Sequence, residues 1–141
     1  TLIDNVGVRH TIDLDKTEFV LQKKAELLVP HLQKLMDQQK LDEAKCCIDN
    51  LIECLHTFYQ KGIRDYDKSI RKNFGFIGDL AVSLDISSFG PDPSLKDPAL
   101  HRKEIALKTH RVARWLKKHH PILYLHYESS LTSIPEEPLS Q

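Results

Sequence analysis

The sequence predicts a mainly α (α+β) domain in which helices surround one small β-hairpin. Three observations carry this expectation. Residues 41–60 place Leu41, Ala44, Ile48, Leu51, Ile52, Leu55 and Phe58 at steps of three and four, drawing one apolar stripe along a long helix. Residues 74–77 and 80–86 are short β-prone runs split by Gly78-Asp79, a pair suited to a tight turn. Asp97-Pro98 opens a second long helix, with a carboxylate at the N-cap and proline at the first helical position.

Taken in order, residues 1–15 mix Val6, Val8, Ile12 and Leu14 with polar residues at no helical period, so they read as extended, with a short strand around 7–12. Helix propensity alone would start a helix at Thr17, but Pro30 would then sit mid-helix at a cost of about 3 kcal/mol. Placing Pro30 in a first turn removes that cost. The expectation is an extended 18–22, then a helix over 29–39 burying Leu32, Leu35 and Met36. The helix over 41–60 follows as the central core element, stopped by Gly62. Along 80–86, Val82, Leu84 and Ile86 lie on one face and Ala81, Ser83 and Asp85 on the other. The stretch SSFGPDPSLKDP reads as loop. The next helix runs to about Lys118, burying Ile105, Val112, Trp115 and Leu116; after His120-Pro121 a last short helix covers 122–131. Residues 1–131 are thus expected to form a single domain, and 132–141 a flexible tail.

Composition bounds the function classes. Twenty Lys and Arg balance twenty Asp and Glu, so no net field draws the chain to nucleic acid or an acidic membrane. No apolar run approaches the ~20 residues of a membrane span, and the start has no signal-peptide pattern. The absence of a Met before Thr1 suggests a cut fragment. Three cysteines, two adjacent as Cys46-Cys47, form no disulfide framework and fit a cytoplasm, including one reached by an exported protein.

The candidate chemistry lies in residues 62–89. A polar loop holds Asp65, Asp67 and Asn73, and the hairpin after it ends in Asp85. Phosphoryl transfer asks a protein for fixed metal ions and a base that orients the acceptor hydroxyl. Magnesium takes oxygen ligands, with phosphate and water completing its octahedron. Asn73 and Asp85 are the candidate metal ligands, with Asp67 or Asp65 the candidate catalytic base. A two-residue turn at Gly78-Asp79 sets Asn73 opposite Leu84 and away from the face of Asp85; a three-residue turn makes Asn73 face Asp85.

The ordered set Asp67…Asn73…Asp85 resembles the catalytic-loop Asp, metal-binding Asn and metal-binding Asp of the protein-kinase-like superfamily, which includes the aminoglycoside and choline phosphotransferases. The resemblance covers about residues 18–89. It implies a kinase-like C-terminal lobe with an extended hinge at 18–22, a Mg2+- and ATP-dependent phosphotransferase function, and nucleotide and a phosphoryl acceptor as partners. Lys68, not Asp, stands five residues before Asn73, and Ile86-Ser87 follows Asp85, which is nearer the small-molecule branch. No glycine-rich phosphate loop and no strand lysine with a helix glutamate occurs in the chain. The N-terminal lobe is therefore expected before Thr1, and the 141 residues alone are not expected to complete a turnover.

Two other readings stand beside it. The same fold could be a helical adaptor that binds a protein partner through exposed helix faces, without catalysis. The run Arg102, Lys103, Lys108, Arg111, Arg114, Lys117 and Lys118, against the single acid Glu104, could grip phosphate of nucleic acid or lipid. A solvated face of an amphipathic helix explains that run more simply, and no aromatic residue except Trp115 interleaves it. Cys46, Cys47, Cys54 and His56 share one helix without a C-x-x-C knuckle, which argues for structural thiols over zinc.

Overall fold

Helix α2, Leu41–Gln60, forms over the predicted stripe and carries the core. Ala44, Ile48, Leu51, Ile52 and Leu55 are buried as its period requires, and Cys47 and Tyr59 join them. Gly62, at φ 67°, turns the chain out of the helix and donates its N–H to Tyr59 O at 2.8 Å. The other helices and the hairpin pack around α2. The computed structural model describes residues 1–19 and 22–135, so Val20 and Leu21 of the expected extended segment lie outside the described residues.

Helix α1 spans Leu28–Asp37 and keeps Pro30 in its first turn, as the proline cost demands. Its buried face is Leu28, His31, Leu32 and Leu35, with Met36 only half-buried at the rim.

Strand structure is richer than the single hairpin expected. The strand predicted around 7–12 is a two-residue strand, β2 at Arg9–His10, paired with β1 at Leu2–Ile3. Strand β3, Glu26–Leu27, leads into α1 and adds an antiparallel edge to the hairpin β5, Phe74–Ile77, and β6, Leu80–Ser83. Within the stretches read as loop, β4 at Ile63–Asp65 pairs antiparallel with β7 at Phe89–Pro91. These strands are too short to show period-two alternation, which is why the sequence pattern missed them.

The hairpin takes the two-residue register, with Ile77 opposite Leu80 and Phe74 opposite Ser83. Gly78 supplies φ 65° at the first turn position. Burial on β6 is the reverse of what its apolar residues suggest: Ala81 is buried, Val82 and Leu84 are half-buried, and Ile86 is 73% exposed. The register gives the reason. Phe74 and Phe76 fill the core-facing side under α2, so their cross-strand partners there are the small Ser83 and Ala81. The strand also stops at Ser83, short of the predicted 86.

Asp97 accepts from the N–H of Ala99 at 3.0 Å, and Pro98 opens a short 3-10 turn into α4, His101–His119. Ile105, Val112 and Leu116 are buried as expected. Trp115 is not a core residue; it is half-buried and packs edge-on against the His120 ring at 5.1 Å. Helix α5, Pro121–Thr132, closes the core with Leu123 and Tyr127. Ile134, in the expected tail, is buried in the core, because Arg102 anchors the chain there by donating to Thr132 O and Ile134 O. No helix among the described residues is long and apolar enough to cross a membrane.

Candidate functional site

The β4–β7 ladder fixes the start of the loop that carries the candidate residues. Asp65, the last residue of β4, pairs with Phe89, and its carboxylate turns inward. It accepts from Ser88 Oγ at 2.6 Å, the Asp67 N–H at 3.0 Å and Lys108 Nζ at 2.5 Å. Lys108 also donates to the carbonyl of Asp67. Both oxygens of Asp65 are therefore engaged, and the Asp65 and Lys108 side chains are 4% and 7% exposed. Of the two candidate bases, Asp65 is an anchor for the loop.

Asp67 is the more open of the two. One oxygen accepts from the Ser69 N–H at 2.7 Å and the other from Asn73 Nδ2 at 2.8 Å. These bonds, the Ser69 N–H foremost, hold its carboxyl below the usual range, with the charges of Lys108 and Lys72 acting in the same direction. Asp67 and Asn73 meet because the single turn of α3, Ile70–Asn73, folds the intervening chain back.

Asn73 ends α3 where β5 begins, and its carbonyl accepts from the Leu84 N–H at 2.8 Å, extending the hairpin by one pair. The two-residue register thus sets Asn73 opposite Leu84 and away from the face of Asp85, and its amide is directed to Asp67; Asn73 sits at the end of α3, just before the strand, where register constrains it less. Asp85 lies just beyond β6, exposed, with its carboxylate bonded to the Ser87 hydroxyl and, at 2.8 Å, the Ser87 N–H. Those bonds hold Asp85 below the usual range, while the negative charge of Asp67 pushes the other way.

Carboxylate and amide oxygens are the donors that a hard cation takes. The amide oxygen of Asn73 accepts no hydrogen bond among the described residues, which leaves it open to such an ion. No group of three or more His, Cys, Asp or Glu among the described residues could hold a metal by itself.

The basic helix dissolves into separate roles. Lys108 is the buried partner of Asp65, and Arg102 holds the end of α5. Glu104 bonds Arg64 Nη1 at 2.6 Å, and Asp92 bonds Arg64 Nε at 2.5 Å. These two acids raise the pKa of the Arg64 guanidinium. Sequence reasoning did not find Lys108, Ser88 or Asp92 in this network. Nothing local marks them, since each meets its partner more than twenty residues away. Cys47 is buried and its thiol is pushed up to about 12 by burial, and Cys54 is raised by the same cause. A thiol held protonated is a poor metal ligand and nucleophile.

The chain matches no protein-family model, no curated protein and no solved structure.

Proposed function

We propose that this chain is the C-lobe of a kinase-like phosphotransferase that uses Mg2+ and ATP and works in a reducing cytoplasm. The observation that carries the reading is the Asp67–Asn73 hydrogen bond, formed across the single turn of α3 immediately before the hairpin that Asp85 follows. Asn73 and Asp85 would hold the metal, whose chemistry is to neutralise charge on the phosphate oxygens. Asp67, kept ionised by Ser69 and Asn73, would orient the acceptor hydroxyl and take its proton. The acceptor oxygen bonds to the terminal phosphorus while the bond to ADP breaks, its electron pair leaving on ADP. The chain has no glycine-rich loop, so the reading applies to an intact protein that grips nucleotide from a second lobe as well.

In the intact protein, Asp85→Asn should reduce ATP-dependent phosphotransfer by at least about a hundredfold, since it removes a metal-binding charge while keeping the shape. Its melting temperature should stay within about 2 °C of the parent, because Asp85 is exposed. Unchanged transfer, or none in either protein, would leave the adaptor reading. That alternative is favoured by Ile122 and Leu125, which stand 61% and 68% exposed on α5 as an apolar face for a protein partner.

A further inference from the structure

We propose that the cleft between the start of α1, the α3 turn and α4 is an anion pocket that takes the phosphate of a small phosphorylated molecule. The cavity measures about 430 Å³, within the range of small-molecule sites. Lys68, Arg71, Lys72 and Arg111 line it over an apolar floor that includes Val29 and Pro30, and among the described residues no carboxylate lines it.

None of these four cations makes a side-chain hydrogen bond or ion pair among the described residues. Other exposed lysines and arginines, such as Lys61 and Lys96, are also without a carboxylate among the described residues, but these four gather around one concavity. Arg64, Lys34 and Lys108 each sit on a carboxylate. In a chain of zero net charge, acids were available to pair the four as well. Gathering unpaired like charges around one concavity is repulsive, and a bound anion relieves that repulsion. Two guanidiniums offer the planar forks that phosphate oxygens accept, and the lysines add point charge.

The position of the pocket gives the anion a role. Lys68 and Arg111 also line the neighbouring cleft of about 370 Å³ that contains Asp67. Lys72 is close enough to help depress the Asp67 pKa. A phosphate held here would leave the rest of its molecule beside Asp67. Resting on the phosphotransfer reading, the substrate class is then a small acceptor that already carries a phosphate; the pocket itself does not depend on that reading. The rival ligand is a long polyanion. Arg71 and Arg111 also border a shallower depression with Arg114 and Lys118. The apolar floor and the concavity of the first cleft favour the small ligand.

The test measures binding of glycerol 3-phosphate and of inorganic phosphate by calorimetry, at ionic strength matched with chloride. A 20-base-pair DNA duplex serves as the polyanion probe. Both phosphates should bind, and Arg71→Gln with Arg111→Gln should weaken them about tenfold or more, with unchanged circular dichroism. Arg114→Gln with Lys118→Gln should leave them unaltered. No binding beyond chloride, or equal weakening in both double variants, overturns the proposal. So does duplex binding that is tighter than phosphate binding and lost in both. In the intact protein, phosphate binding without any ATP turnover sinks the phosphotransfer reading and leaves the pocket standing.

Discussion

The buried pair between Asp65 and Lys108 ties the candidate loop to α4 at one point, through side chains almost closed to water. Breaking one partner leaves the other charge buried and alone, which costs about 3–5 kcal/mol. Lys108→Met should therefore lower stability by that order in a urea melt, and adding Asp65→Asn should recover part of it. A loss under about 1 kcal/mol would mean that water reaches the site. Glu26 presents the opposite case, an exposed carboxylate bonded to Lys34 Nζ and His31 Nδ1, both at 2.7 Å. These partners, Lys34 first, lower its pKa from 4.5 to about 2. A depressed carboxylate adds stability above its unfolded pKa, and that stability is lost as pH falls through the folded one. The difference in melting temperature between the parent and Glu26→Gln should thus be constant above pH 4.5 and shrink from there towards pH 2. A difference that grows on acidification contradicts the pairing.

At the scale of elements, the three-stranded sheet depends on one glycine. A Cβ at Gly75 would lie 2.4 Å from the carbonyl oxygen of Glu26, a backbone atom of the neighbouring strand β3. The side chain cannot fit without separating β3 from β5. Gly75→Ala should destabilise by about 1–3 kcal/mol. Hydrogen exchange should localise the damage, with protection lost at Glu26 and Leu27 while α2 keeps its own. Equal loss across both elements would show that the sheet and the helix melt together. The same sheet delivers Asn73 to its place, since β5 begins where α3 ends.

For the whole molecule, the core extends past the last helix. Ile134 is 5% exposed and belongs to the cluster built around α2, while Arg102 clamps the carbonyls on either side of Ser133. Ile134→Ala should cost about 2–5 kcal/mol in a denaturant melt, the range for an isoleucine lost from a packed core. A change under about half a kcal/mol would return this segment to the status of a tail. The clamp closes α5 against α4, and α4 in turn carries Lys108 and Arg111 to the candidate site and the basic cleft.

The sequence by itself determined the elements whose signals are local and repeated. The stripe of α2 gave its bounds, the proline cost set the start of α1, and Asp97-Pro98 marked the entry to α4. Gly78-Asp79 marked the hairpin turn, and the order Asp67, Asn73, Asp85 marked the loop worth inspecting. Only the tertiary structure decided which carboxylate is an anchor and which is open. Asp65 and Asp67 are two residues apart in near-identical polar surroundings, and Lys108 distinguishes them from 43 residues away. Tertiary packing likewise chose the buried face of β6, because the bulk of Phe74 and Phe76 on the neighbouring strand outweighs the hydrophobicity of Val82 and Ile86. Periodicity reports what a residue prefers within its own segment. Ion pairs, short strands and unpaired cations depend on which distant segment arrives beside it, and chain folding alone supplies that neighbour.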